Sequence, residues 1–137
     1  MKKIMVFGTF DIIHPGHLNF FEQAKKQGDY LIVVVARDTN VRKVKSLSPQ
    51  NNEQVRLKQL KKIMIIDRAV PGNIDDPYKV IIENKPDIIC LGYDQKTFVD
   101  GLLAKIKQGQ IKDIKIVRLN SFKPEKYKSS KLRHNYA

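Results

Sequence analysis

Two histidines three positions apart, His14 and His17, stand in the stretch GTFDIIHPGH at residues 8–17. The apolar run Ile4, Met5, Val6 and Phe7 directly before it predicts a buried strand that ends where the stretch begins. Two of the chain's 3 histidines therefore share one strand-to-helix turn with Gly8, Thr9 and Asp11. A lone imidazole is ordinarily structural or exposed, and the clustering sets this pair apart. A helix N-terminus offers backbone N–H groups and the positive end of the helix dipole, which together suit a phosphate group. Pro15 fits a first helical turn because its missing N–H loses no intrahelical bond there, and Gly16 lets an anion approach the backbone. His14 and His17 can then donate to oxygens of a transferring phosphoryl group, a reaction that needs positioning and charge stabilisation more than a protein nucleophile. Zinc would need further ligands, and no nearby Cys or matching His–Glu pair supplies them, so no metal site of the protein's own is expected. A divalent cation, magnesium, is expected to arrive with a triphosphate.

The elements that must position this turn follow from hydrophobic periodicity. Short runs rich in β-branched residues at 3–7, 30–36, 68–70, 87–91 and 114–118 predict five strands buried on both faces. Between them, Leu18, Phe21 and Ala24, then Leu57, Leu60 and Met64, then Val99, Leu102, Leu103 and Ile106 recur at helical spacing, and a shorter helix is expected over 77–84. Asn51 with Gln54 three residues later predicts the cap of the second helix, and Gly28 a left-handed C-cap of the first. This alternation predicts an α/β fold: a single-domain, doubly wound, Rossmann-like parallel sheet of five strands with helices on both faces. Ligands of such sheets bind outside the carboxyl ends of the strands, which is where the histidine turn falls.

A chain of 137 residues with 42% hydrophobic content can bury one core, and one domain over 1–137 is expected. The net charge of +12 implies anionic partners, whether nucleotides, phosphorylated metabolites or nucleic acid. No apolar stretch reaches the ~20 residues of a membrane span, and the basic N-terminus is followed by too short an apolar run for a signal peptide, so a cytoplasmic protein without membrane contact is expected. Cys90, the single cysteine, excludes an intrachain disulfide and reads as a buried thiol among Ile88, Ile89 and Leu91. The polar segment 37–51 and the basic segment 121–137 are either solvated chain or loops for an anionic substrate.

The stretch GTFDIIHPGH resembles the G-T-F-D-x-x-H-x-G-H signature of the cytidylyltransferase-like nucleotidyltransferases, whose histidines contact nucleotide phosphates and stabilise the transition state. Within that superfamily, VVVARDTNVRKVK, LGYDQ at 91–95 and KPEKYKSSK at 123–131 most resemble the small archaeal-type FAD synthases, which transfer AMP from ATP to FMN. Glycerol-3-phosphate cytidylyltransferases share the first motif but usually carry an R-T-x-G-I-S-T-T-like stretch near the C-terminus, where this chain has Lys126, Tyr127, Lys128, Ser129 and Ser130. The resemblance implies catalytic roles for His14 and His17, and nucleotide contacts from Gly8, Thr9, Phe10, Pro15, Gly16, Asp94, Tyr127, Ser129 and Ser130. It implies phosphate or substrate contacts from Lys45 and Arg56, a segment 121–137 that closes over the nucleotide, and a possible homodimer. Asp11 reads as an orienter of the turn or an indirect metal contact, not a base, because a phosphate monoester is already a usable nucleophile. The rivals are a cytidylyltransferase acting on glycerol 3-phosphate or another phospho-alcohol and, in a different class, a basic nucleic-acid-binding module. Against the second stand 8% aromatic content and the lack of an RNA-recognition or zinc-finger signature.

Overall fold

Along the central strands, successive side chains enter two different cores, and that alternation builds the molecule. The computed structural model describes residues 1–38, 51–73, 76, 78–92, 96–109, 111 and 114–119. Strands β1 (Lys3–Gly8), β2 (Tyr30–Val35), β3 (Arg68–Pro71), β4 (Ile88–Leu91) and β5 (Lys115–Arg118) form one sheet in the order β3-β2-β1-β4-β5, with every neighbouring pair parallel. Helices α1 (Pro15–Lys25), α2 (Glu53–Lys61), α3 (Lys79–Asn84) and α4 (Lys96–Lys107) alternate with them. Ile4, Val6, Leu31, Val33, Ile88 and Cys90 face one core with Phe21 of α1 and Leu60 of α2. Met5, Ile32, Val34, Ile89 and Leu91 face the other with Val80 and Ile81 of α3 and Leu102 of α4. Each such aliphatic side chain contributes ~1.5–3 kcal/mol on full burial. The doubly wound α/β sheet expected from the sequence is therefore the observed fold, and among the described residues no helix is long and apolar enough to cross a membrane.

Several local expectations are corrected. The edge strands β3 and β5 are not buried on both faces, since Arg68, Pro71, Lys115 and Arg118 are exposed. Met64 lies beyond the end of α2 and is 97% exposed, so the second apolar stripe stops at Leu60. Leu18 and Leu103 sit at the margins of their helical stripes and are exposed. The cap of α2 is Asn52, whose side chain accepts from Val55 N at 2.9 Å, while Asn51 is engaged elsewhere. Helix α1 ends at Lys26 in right-handed conformation, with Gln27 N and Gly28 N returning to Ala24 O and Lys25 O at 3.0 and 3.2 Å. Gly28 is thus no left-handed cap: a Cβ there would lie 2.6 Å from Ile4 Cδ1 and 2.8 Å from the Lys2 carbonyl oxygen.

Three aspartates bind the amino-terminal edge of the sheet. Asp29 accepts from Lys2 N, Asp87 from Lys3 N and Asp67 from Leu31 N, each at 2.8–2.9 Å. The opposite edge is left for chemistry. The chain runs outward from β1 through β2 to β3 and then returns to the other side of β1 for β4, so the order reverses at the carboxyl end of β1. The close packing at Gly28 predicts that Gly28→Ala costs on the order of 1–3 kcal/mol through overpacking. Thermal or denaturant unfolding measures it, and an unchanged midpoint would contradict the close approach.

Candidate active site

Strand β1 ends at Gly8, whose carbonyl accepts from Ala36 N at 2.9 Å and so keeps the strand paired to its last residue. A Cβ at Gly8 would stand 2.6–2.9 Å from the Phe10 ring, which explains a glycine there. Phe10 itself adopts φ 52°, the left-handed region, at a cost of roughly 1–3 kcal/mol for a residue other than glycine. That turn folds the ring inward. It packs on Phe21 at a centroid distance of 5.2 Å and stands edge-on to the His17 imidazole at 5.3 Å and 80°. The sequence reading laid Phe10 against a nucleotide, whereas the ring is only 5% exposed and belongs to the core beneath His17.

His14 caps α1 from extended backbone, and its Nδ1 accepts from Gly16 N at 3.1 Å. An accepting Nδ1 carries no proton, so the imidazole is neutral with its proton on Nε2, a donor. Burial pushes the His14 pKa below its ordinary 6.5, in the same direction. The His17 ring stacks on it at 3.8 Å and 26°. His17 N and Leu18 N both return to His14 O, at 2.9 and 3.2 Å. With Pro15 lacking an N–H, the first turn keeps its backbone donors for itself. The expectation of unpaired N–H groups facing an anion is corrected accordingly: the helix offers its dipole, uncountered by any acidic residue in the first turn, and the two imidazoles offer the donors.

The structure thus brings Gly8, Thr9, Phe10, His14, Pro15, Gly16 and His17 together at the carboxyl end of β1. Arg56, expected to contact phosphate or substrate, is held inside the protein. It is fully buried on α2, with Nη1 donating to Thr9 O at 2.7 Å, Nε to Asn51 O at 3.1 Å and Nη2 to Asp38 Oδ1 at 2.6 Å. Asp11, 1% exposed, accepts from Asn51 N at Oδ1 and from Asn51 Nδ2 at its carbonyl, both at 2.8 Å, as an orienter of the turn would. Lys45, Asp94, Tyr127, Ser129, Ser130 and the segment 121–137 lie outside the described residues. Among the described residues no group of three His, Cys, Asp or Glu side chains could hold a metal ion.

Residues 5–135 match the model of the cytidylyltransferase-like family. The chain belongs to that family. It is 43% identical over 122 residues to a protein of Aciduliprofundum boonei named FAD synthase, covering 89% of this chain and 80% of that one. It is 41% identical over 133 residues to the FAD synthase of Thermoplasma volcanium, covering 97% and 92%. A crystal structure from Thermoplasma volcanium, described as a lipopolysaccharide core biosynthesis protein, superposes with a TM-score of 0.82 at 43% identity, over 89% of this chain and 98% of that one.

In this cytidylyltransferase-like chain, sequence reasoning missed Asp38 and Asn51, the first read as part of a polar loop and the second as a helix cap. The available signal was an acid three residues past the carboxyl end of β2, with an arginine one turn into the next helix. The His14 geometry carries a pH prediction. In the window below 6.5 the unfolded chain takes up a proton that folded His14 resists, so this group's contribution to stability is lost as the pH falls through 6.5. An NMR titration of the imidazole should place the His14 midpoint below 6.5, and a midpoint at or above that value would refute the buried neutral cap.

Proposed function

We propose that the protein is an FAD synthase, transferring AMP from magnesium-bound ATP to FMN with release of pyrophosphate. The observation that carries the chemistry is the pair of stacked imidazoles on an uncountered helix N-terminus, and the name borne by the aligned relatives supports the choice of nucleotide and acceptor. A phosphate oxygen of FMN attacks the α-phosphorus of ATP in line. The bond from that phosphorus to the oxygen bridging the β-phosphate breaks, and pyrophosphate leaves. No side chain becomes covalently attached. His14 through Nε2–H and His17 donate to the phosphate oxygens, whose charge must be stabilised as the new bond forms.

Magnesium comes as part of the ATP substrate. Gly8, Thr9, Pro15 and Gly16 border the nucleotide, Asp94 and Tyr127 reach it, Lys45 contacts phosphate, and Ser129 and Ser130 begin the segment that closes over it. The net charge of +12 suits two phosphorylated substrates, and the reaction is placed in the cytoplasm. A homodimer follows from the resemblance and is read by sedimentation.

The decisive experiment crosses ATP or CTP with FMN or glycerol 3-phosphate in the presence of magnesium, measuring pyrophosphate and identifying the product by mass. FAD formed only from ATP and FMN is the expected result; a cytidylyl product from CTP would overturn both nucleotide and acceptor. His17→Ala should fold normally and lose on the order of 10²–10³ in turnover. Turnover like that of the wild type would remove the histidine mechanism.

A further inference from the structure

Phe10 is the strained residue of the turn, and both of its neighbours are gripped from one place. On one side Arg56 Nη1 donates to the Thr9 carbonyl at 2.7 Å. On the other, Asn51 N and Asn51 Nδ2 donate to the Asp11 carboxylate and carbonyl, each at 2.8 Å. Arg56 also secures its own support: Nε holds the Asn51 carbonyl at 3.1 Å, and Nη2 holds Asp38 Oδ1 at 2.6 Å. The other Asp38 oxygen accepts from Glu53 N at 3.1 Å, and an Arg37–Glu53 ion pair ties the end of β2 to the start of α2 a second time.

We propose that Arg56, with Asn51 and Asp38, is a positioning device for the transfer reaction, fixing Thr9 and Asp11 on either side of Phe10 so that its ring stands against His17. Arg56 therefore acts on the substrate through His17 rather than by touching a phosphate. A phosphate-binding arginine keeps its fork turned toward the ligand. Here the guanidinium is fully buried and reaches three separate acceptors, each from a different nitrogen. That arrangement needs the planar, multiply donating group of arginine, and the single ammonium of lysine cannot reproduce it. A left-handed phenylalanine persists only where its surroundings over-determine it, and the three bonds to Thr9 and Asp11 supply that determination.

The inference rests on the reading of His17 as a phosphate donor, so its test has two arms. In the first, NMR of the full chain without substrates compares the Phe10 ring and His17 imidazole resonances of wild type and Arg56→Lys. Both sets should shift while the bulk of the spectrum stays in place. In the second, steady-state kinetics of Arg56→Lys should show kcat lowered by about 10²-fold, with KM for ATP and for FMN within about threefold of wild type. Millimolar guanidinium should restore part of the turnover of Arg56→Ala. If the Arg56 variants do not fold, Asn51→Ala, which removes only the bond to the Asp11 carbonyl, should show both signatures in weaker form. Unmoved Phe10 and His17 resonances would overturn the device. So would a KM for ATP raised tenfold or more at unchanged kcat, which is the mark of a direct phosphate ligand. Should the wild type make no FAD, the proposed function fails by itself, and the spectroscopic arm still decides the positioning claim.

Discussion

A guanidinium with no exposure to water has to be answered by the protein around it, and Arg56 is answered in part by the loop that carries the histidines. Its acceptors are the carbonyls of Thr9 and Asn51 and the carboxylate of Asp38. Removing one partner of a buried ion pair typically costs ~3–5 kcal/mol, so this cation cannot be released without a large loss. The consequence runs both ways. The turn between β1 and α1 is held by α2, and α2 is anchored by the turn, although the bonded residues Thr9 and Arg56 lie 47 residues apart in the chain. The parallel sheet makes this meeting possible, because β1 and β2 are neighbours that deliver their carboxyl ends to the same edge.

Helix caps usually come from serine, threonine, aspartate or asparagine, which satisfy an N–H and do no more. In α1 the cap is His14, and satisfying Gly16 N through Nδ1 settles the tautomer of the ring, so that Nε2 is the donor. Two imidazoles stacked at 3.8 Å would repel if both were charged, and the low pKa that burial gives His14 avoids that conflict. The helix dipole then acts on an anion without the competition that an aspartate cap would bring. Local structure and chemistry are set by the same bond.

Much of the fold was legible because it depends on local pattern. The central strands announce themselves through continuous β-branched runs, and His14, Pro15, Gly16 and His17 are adjacent in sequence, so the turn could be read directly. The edge strands were misjudged because a run such as Arg68–Pro71 looks the same whether one face or two are covered, and only the strand order reveals which. Met64 continued a helical spacing that the chain does not continue. The burial of Arg56 and Phe10 was not legible for a deeper reason. A lone arginine on a polar helix and an aromatic beside a motif have ordinary exposed or ligand-facing readings, and nothing nearby in sequence reports that Thr9 O or Gly8 lies within reach. Asn51 and Asn52 are chemically identical, and which one caps α2 was decided by Asp11, forty residues away.

This division between local and distant determinants also explains how the site tolerates so basic a chain. Among the described residues the other lysines and arginines are exposed or half-buried, and together such charges draw anions. Arg56 is the exception among the described cations: it is completely buried, and its charge is balanced chiefly by Asp38, whose other oxygen is occupied by Glu53 N. A cation neutralised in this way contributes little to the attraction of a phosphate. It fixes instead the geometry on which attraction by the other groups depends. Electrostatic capture and catalytic alignment are therefore carried by different residues, the first by a diffuse surface charge and the second by a few buried bonds around Phe10.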